Sequence, residues 1–400
     1  MYDLAVIGGG PVGSKLARMV SDRGHDVVLL EEHSEAGRPV QCAGLVSERL
    51  RELTPFGESC IINSVAGAII MGPEHEELRL ESPSKRVLVL DRRAFDMELW
   101  RMAEESGVEA RTSSKVFGVR EKTGACITEM SGEKIQSRYV AGCDGPASVV
   151  RRAMGIPRPA SFLSGVGVEA ECTHSMEEDL VKVRCGKKVA PGFFAWAIPL
   201  GEKRLRIGLA LEPRMARGSP REYVQRVLRK PHILGLSGEL RAKGWSAGTI
   251  PISPPFRSAS HRMLLAGDAA CQVKATSGGG IVMGLKGAAH ASAAITEALE
   301  SETGLVSYDR AWHRDMGHEL RRDWTLHSCY SSLDDRRLSR VFKTLSSTRA
   351  IDTINRTGDI DYPSRLVIPL LMACPSLAAL AFPFLGAYIA SRQAPPHVLA

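Results

Sequence analysis

"YDLAVIGGGPVGSKLARMVSDRGHDVVLLEE" (residues 2–32) is the stretch that decides the fold. Tyr2 to Ile7 is a short apolar run of the kind a strand buried on both faces needs. Gly8, Gly10 and Gly13 follow in G-x-G-x-x-G spacing. The first glycine of that spacing permits a tight turn, and the second lets the backbone approach a pyrophosphate. The third lets a helix pack closely on the strand, with the phosphates at the helix N-terminus. The helix carries Ala17 on its inner face and ends at Gly24, and "DVVLL" makes a second strand. Glu31, with Glu32 next to it, closes the unit. A carboxylate there accepts hydrogen bonds from the ribose of an adenine nucleotide and disfavours a 2′-phosphate. The unit therefore reads as Rossmann-like and favours FAD or NAD over NADP.

A chain of 400 residues suits one large or two closely joined domains. With 44% hydrophobic and 24% charged residues it reads as globular, neither disordered nor a multi-span membrane protein. The net charge of +7 and pI near 9.0 point to an anionic partner such as a phospholipid, a nucleotide or an acidic electron carrier. No Lys/Arg block forms a nucleic-acid arm, so no nucleic acid is expected. None of the nine cysteines forms a CxxC pair, which leaves zinc ribbons, iron–sulfur clusters and dithiol motifs without local support. No metal site is expected; His313 and His318 read as solvated or packing residues. A scattered, odd set of cysteines fits a reducing cytoplasm. The first strand starts at once, which leaves no room for a targeting segment.

Two later motifs turn the reading toward flavin. In "VAGCDGPASVVRRAMGI" (140–156), Asp144-Gly145 follows a strand end and precedes a short helix. This resembles the Asp-Gly segment of flavoprotein hydroxylases. "RMLLAGDAACQVKATSGGGIVMGLKGAAHAS" (262–292) is similar to the second FAD fingerprint of that class. The resemblance implies that Gly267-Asp268 meets the flavin ribityl hydroxyls. It also implies that Gly278, Gly279, Gly280 and Ile281 offer backbone amides to the flavin ring or pyrophosphate. In "LDRRAFDMELWRMAEESGV" (90–108), Arg92, Phe95, Asp96 and Leu99 match an R-x-x-F-D-x-x-L helix start of the p-hydroxybenzoate hydroxylase superfamily. Arg92 is then either a flavin contact or a solvated charge. There is no second G-x-G-x-x-G, so electrons come from a visiting NAD(P)H or from ferredoxin.

Residues 165–211 alternate apolar and polar in "SGVGVEAEC" and "KRLRIGLAL", as an antiparallel sheet facing a pocket does. Within it, "PGFFAWAIP" (191–199) resembles the P-x-x-Y-x-W-x-F-P segment of the geranylgeranyl reductase family, archaeal enzymes that saturate isoprenoid chains of membrane lipids. Pro191, Trp196 and Pro199 match, Phe194 stands for the tyrosine and Ile198 for the phenylalanine. Phe193, Phe194, Trp196 and Ile198 would line an apolar wall with one indole N–H as its polar handle, or simply pack as a core strand. "GRPVQCAGLVSERL" (37–50) resembles the family's cysteine-bearing segment near the flavin, which brings in Arg38, Cys42, Ala43 and Gly44. "CQVKATSGGGI" resembles its G-x-V-K-x-T-x-G-G-G-I, with Cys271 where glycine is frequent.

The resemblance implies an FAD-dependent reductase that saturates C=C bonds of geranylgeranyl chains in archaeal-type ether lipids. The alternatives are a flavin monooxygenase or halogenase of the same superfamily, or a non-catalytic lipid-binding flavoprotein. Reducing an isolated alkene needs a hydride at one carbon and a proton at the other, in a dry and aligned slot. Cys42 is either the source of that proton, kept protonated by apolar burial, or a small buried hydrophobe. The expected architecture is α/β, α+β overall. A Rossmann-like FAD-binding domain (1–160 and 245–300, with a short insertion at about 50–90) carries an inserted antiparallel-sheet substrate domain (161–244). A helical region (301–400) follows. Its uncharged run "LVIPLLMACPSLAALAFPFLGAYIA" (366–390) is long enough to span a membrane, but three prolines favour short helices on a membrane face or over the lipid slot. The expected location is cytoplasmic with peripheral membrane contact.

Overall fold

The strand Tyr2–Ile7 runs through the middle of the first sheet, with Leu4, Ala5 and Val6 fully buried. The structure, a computed structural model, describes residues 1–378 except 75, 83–86, 123, 175 and 302. Parallel neighbours flank the central strand on both sides, Val27–Leu30 on one and Glu133–Gly142 on the other. Glu109–Arg111 continues the sheet beyond Val27–Leu30, and Met263–Leu265 pairs in parallel with Glu133–Gly142. A hairpin of Val116–Lys122 and Ala125–Met130 completes it. Helices Pro11–Ser21, Arg92–Glu105 and Ile281–Ser301 bury small and aliphatic residues against this sheet, among them Leu16, Ala103, Ala288 and Ile295.

Parallel strands all present their carboxyl ends on one edge, and ligands collect where the strand order reverses. Here the chain leaves Ile7, Leu30, Gly142 and Leu265 on that edge. The loops that follow are laced to it by Gly8 N–H to Leu30 O (2.8 Å), Cys143 N–H to Ile7 O (2.7 Å) and Ala266 N–H to Gly142 O (2.9 Å).

The second sheet runs in the order Leu240–Ile252, Ser161–Cys172, Arg204–Leu211, Phe194–Gly201, Leu180–Cys185, Gly67–Met71 and Glu77–Glu81. Two of its pairings join strands far apart in sequence. Gly67–Met71, within the expected short insertion at about 50–90, pairs in parallel with Leu180–Cys185, so the strands at 67–81 belong to this sheet. Residues 245–252, expected beside the FAD-binding segments, finish its edge strand. Both arise from pairing between strands distant in sequence, which local alternation does not reveal. A three-stranded sheet of Leu45–Ser47, Val87–Leu90 and Ile61–Val65 lies beside the other two.

Helices Val306–Trp312, His318–Ser332, Asp335–Leu345 and Thr348–Thr357 follow, with a π-turn at His313–Gly317 joining the first two. His313 stacks on Trp312, and its Nε2 lies 3.2 Å from Phe256 O, so it packs. Of the 366–390 run, residues 367–373 form a helix, with Ile368 and Met372 exposed; residues 379–390 lie outside the described residues. No helix among the described residues is long and apolar enough to cross a membrane.

A buried polar knot fastens this helical region to the rest. Lys274 donates to Asp361 Oδ1 (2.7 Å) and to Ile360 O (2.8 Å), while Asp361 Oδ2 accepts from Ser47 Oγ (2.5 Å) and Arg49 (3.0 Å). Removing one member of a buried ion pair leaves the other charge uncompensated. Asp361→Ala is therefore expected to lower the unfolding free energy by about 3–5 kcal/mol in urea denaturation. Pairing Asp361→Leu with Lys274→Met is expected to recover much of the loss. Unchanged stability of Asp361→Ala would show that the knot holds nothing.

Candidate functional site

The loops at the carboxyl edge of the first sheet open into a cavity of about 1700 Å³ that continues across the face of the second sheet. That is larger than the roughly 300–1000 Å³ of a pocket for one small ligand. One end is polar and built from the glycine turns. Gly8 adopts φ +102°, where a side chain is strained, and a Cβ on it would lie 2.3 Å from Cys143 O. A Cβ on Gly13 would lie 1.9 Å from Gly8 O, so the helix can sit this close only without one. Gly10 faces open space and is the N-cap of Pro11–Ser21 with no side chain capping it. The first amides of that helix are thus left for an anion.

Glu31 closes this end. Its Oε2 accepts from Gly9 N–H (2.8 Å) and its Oε1 accepts from His33 N–H (3.0 Å), with the His33 ring 2.5 Å away. The His33 contact does not show in the motif. Glu32 pairs with Lys115 (2.7 Å), and Arg38 turns outward to Glu35 (3.3 Å). All three line the cavity.

Two carboxylates stand short of partners there. Asp144 Oδ2 accepts from Val149 N–H (2.7 Å) and Val150 N–H (3.3 Å) at the start of the helix Val149–Ala153, whose N-cap is Ser148, while its Oδ1 is buried with no partner. Burial pushes its pKa up. The Asp268 carboxylate accepts no hydrogen bond from any described residue, although its carbonyl accepts from Cys271 N–H (3.0 Å). Burial pushes it up to about 6, against the pull of Arg92. A Cβ on Gly280 would reach within 2.9 Å of Asp268 Oδ1, so the Gly278–Gly280 loop touches this carboxylate. Orphaned acceptors beside uncapped amides suit a ligand that carries both hydroxyls and phosphates.

Cys42 lies between the two ends and accepts from Gly44 N–H at 3.3 Å. The expectation of apolar burial is corrected here: the thiol is half-buried and stands beside the Arg92 guanidinium. Arg92 makes a two-pronged contact with Asp96 (3.0 and 2.9 Å). Burial would lower its pKa, but Asp96 and Cys42 hold it raised. Arg92 is thus a cavity-lining cation and not a solvated helix-start charge. Arg206 holds the loop by donating to Ala43 O (2.8 Å) and to Leu90 O (3.1 Å), with Glu169 balancing its charge at 2.7 Å.

The other end is apolar, and strand alternation decides it. Phe194, Trp196 and Ile198 share one face of their strand, while Ala195 and Ala197 enter the core behind. Trp196 pairs with Gly208, which pairs with Gly167; the indole lies over Gly208, where a Cβ would come within 2.7 Å. Val183, Ile70 and Leu80 extend the wall on the opposite side. Phe193 stacks on Phe194 (4.1 Å), and its carbonyl accepts from Tyr330.

The sequence places helix at His318–Ser332, but not the buried polar face that this helix turns toward the loops of the site. Glu319, Asp323 and His327 recur every four residues on one buried face. Asp323 accepts from Thr276 N–H (3.1 Å) and Oγ1–H (2.5 Å), so it fixes the loop before Gly278. The i, i+4, i+8 spacing of polar residues was the available signal.

A family model described as an FAD binding domain matches residues 1–316. Digeranylgeranylglycerophospholipid reductase 1 of Methanococcoides burtonii is 31% identical over 366 residues, 85% of this chain and 86% of that protein. Digeranylgeranylglycerophospholipid reductase 2 of Methanothermobacter thermautotrophicus is 29% identical over 389 residues, 92% of this chain and 98% of that protein. The solved structure of a geranylgeranyl bacteriochlorophyll reductase-like protein from Thermoplasma acidophilum has the same fold, with a TM-score of 0.81 at 21% identity over 96% of this chain and 99% of that one. The chain is an FAD-dependent oxidoreductase that belongs to the FAD-binding flavoproteins and, within them, to the geranylgeranyl reductase family.

Proposed function

We propose that this flavoprotein saturates C=C bonds of geranylgeranyl chains in archaeal-type ether lipids. The observation that carries the reading is the single cavity that joins a polar cradle to an aromatic-lined apolar slot, with Cys42 between them. The relatives' names supply the lipid class. The cradle fits FAD. Gly8, Gly10, Gly13 and the amides after Pro11 would hold the pyrophosphate, Glu31 would take the ribose, and Asp268 would accept from the ribityl hydroxyls. Asp144-Gly145, Gly267 and Gly278–Ile281 would complete the enclosure, and Ala43, Gly44 and Arg92 would hold the ring.

Bound and reduced, FAD supplies a hydride equivalent. The chain's own groups do the rest. Phe193, Phe194, Trp196 and Ile198 hold the prenyl chain against the glycine floor and keep water out. Cys42 gives its proton to the second alkene carbon, and the Arg92 guanidinium offsets the charge of the thiolate left behind. The donor that reduces FAD, ferredoxin or NAD(P)H, visits from outside. The apolar turns near Leu366 rest against the membrane that holds the lipid.

Incubating the chemically reduced protein with digeranylgeranylglyceryl phospholipid is expected to add two hydrogens per double bond by mass. Added oxygen, or no change, contradicts the function. For Cys42→Ala, a turnover loss of about 10²- to 10⁴-fold with FAD still bound is expected, the range for removal of a positioned acid; full turnover contradicts the proton role. FAD binding carries a pH signature. Hydroxyl donors favour ionised Asp268 and pull its pKa below the unbound value of about 6. Binding therefore releases a proton, and affinity is expected to weaken as pH falls from 7 to about 5. Titration of stripped protein checks this; Asp268→Asn is expected to be flat across the same window.

A further inference from the structure

Asp268 lines the cavity, and no described side chain or amide donates to its carboxylate, so the turn that carries it decides where it points. That turn is gripped from behind. Gly267 adopts φ +66°, and a Cβ on it would lie 3.0 Å from Val12 Cγ2, in the helix at the phosphate end of the cradle. Gln272 holds this glycine on both sides. Its backbone N–H donates to Gly267 O (3.0 Å), and its side-chain Oε1 accepts from Gly267 N–H (2.8 Å). The other end of the amide, Nε2, donates to Tyr308 OH (2.8 Å). Tyr308 in turn donates to the carbonyl of Leu265 (2.7 Å), the last residue of the strand that delivers the turn.

Both side chains are fully buried, and neither lines the cavity. Burial holds the Tyr308 phenol well above its ordinary range, so it stays a neutral donor. Helix Ile281–Ser301 makes room for the amide with a glycine: a Cβ on Gly287 would lie 2.0 Å from Gln272 Oε1. The residue after Tyr308 grips the same strand from its flank. Asp309 accepts from Ser258 N–H (2.8 Å) and Ala259 N–H (3.2 Å), and Ser258 O accepts from Leu265 N–H (2.8 Å). Apolar side chains of the same shape would pack here at little cost. A buried polar chain in which each member is paired specifies one geometry instead.

We infer that Gln272 and Tyr308 are positioning residues of the cofactor site: they lock the Gly267 peptide and so aim the Asp268 carboxylate at the hydroxyls of a bound flavin. They act through Asp268 and touch no ligand themselves. The inference rests on the reading of Asp268 as a cofactor carboxylate and adds the residues that orient it.

The test dilutes FAD-loaded protein and reads the released cofactor by its fluorescence, which gives Kd, with urea midpoints to show that each variant is folded. Tyr308→Phe and Gln272→Met are each expected to raise Kd about tenfold, the equivalent of about one hydrogen bond. The double variant is expected to add less than about threefold more, because the two residues form one chain. In an Asp268→Ala background there is no carboxylate to aim, and Tyr308→Phe is expected to change Kd by less than about threefold. A role confined to packing would raise Kd by the same factor in both backgrounds, and that result overturns the inference. The weakening of FAD binding between pH 7 and about 5 is also expected to shrink in Tyr308→Phe, since a carboxylate turned away from the hydroxyls gains less from ionising. Arg92 and the Cys271 thiol, which burial pushes up to about 12, are the other ionisable groups facing Asp268, and this variant leaves both in place. An unchanged Kd in both Tyr308→Phe and Gln272→Met overturns the positioning role alone. An unchanged Kd for Asp268→Ala overturns the cofactor reading of Asp268, and the positioning role falls with it.

Discussion

The indole of Trp196 lies on the bare backbone of Gly208, and the cavity exists because that row of the sheet carries almost no side chains. Gly208 pairs with Gly167, and Gly165 pairs with Gly248, so four glycines pave the cavity side of three adjacent strands. A Cβ on Gly248 would come within 2.4 Å of Gln41 O. The loop that carries Cys42 therefore rests directly on the sheet. Glycine weakens a strand because it packs nothing and loses more backbone entropy on folding. Here that loss is the condition for bringing a thiol, a flavin cradle and an aromatic wall into one space.

Charge follows the same division. The cradle end holds carboxylates with incomplete hydrogen bonding and helix amides without a cap, a set that a hydroxyl- and phosphate-bearing ligand completes. The aromatic wall of Phe193, Phe194, Trp196 and Ile198 carries no charge. Arg92 stands at the boundary, paired with Asp96, close to Asp268 and beside Cys42. One buried cation thus acts on Asp268 and on the thiol together.

Much of the cradle was legible because each of its parts is local. A glycine turn after an apolar strand, a Gly-Asp after another and three consecutive glycines before a helix are read within a few residues. The aromatic wall was legible from period-two alternation, which Phe194, Trp196 and Ile198 obey. What escaped depends on pairing over long separations. The strand Gly67–Met71 joins the second sheet across more than a hundred residues. Asp323 and Asp361 read as ordinary charged residues of a helical tail, yet they fix Thr276 and Lys274 in the loop before the glycines. Cys42 could be singled out by its loop, but the neighbouring guanidinium enters from a helix fifty residues later.

The central claim is that electrons pass from flavin to an alkene, and the most direct measurement follows the flavin itself. Protein reduced under strict exclusion of oxygen is mixed with digeranylgeranylglyceryl phospholipid while the absorbance of oxidised FAD is recorded. The lipid alone is expected to restore the oxidised spectrum, one flavin equivalent for each double bond saturated. A flavin that stays reduced until oxygen is admitted would contradict it.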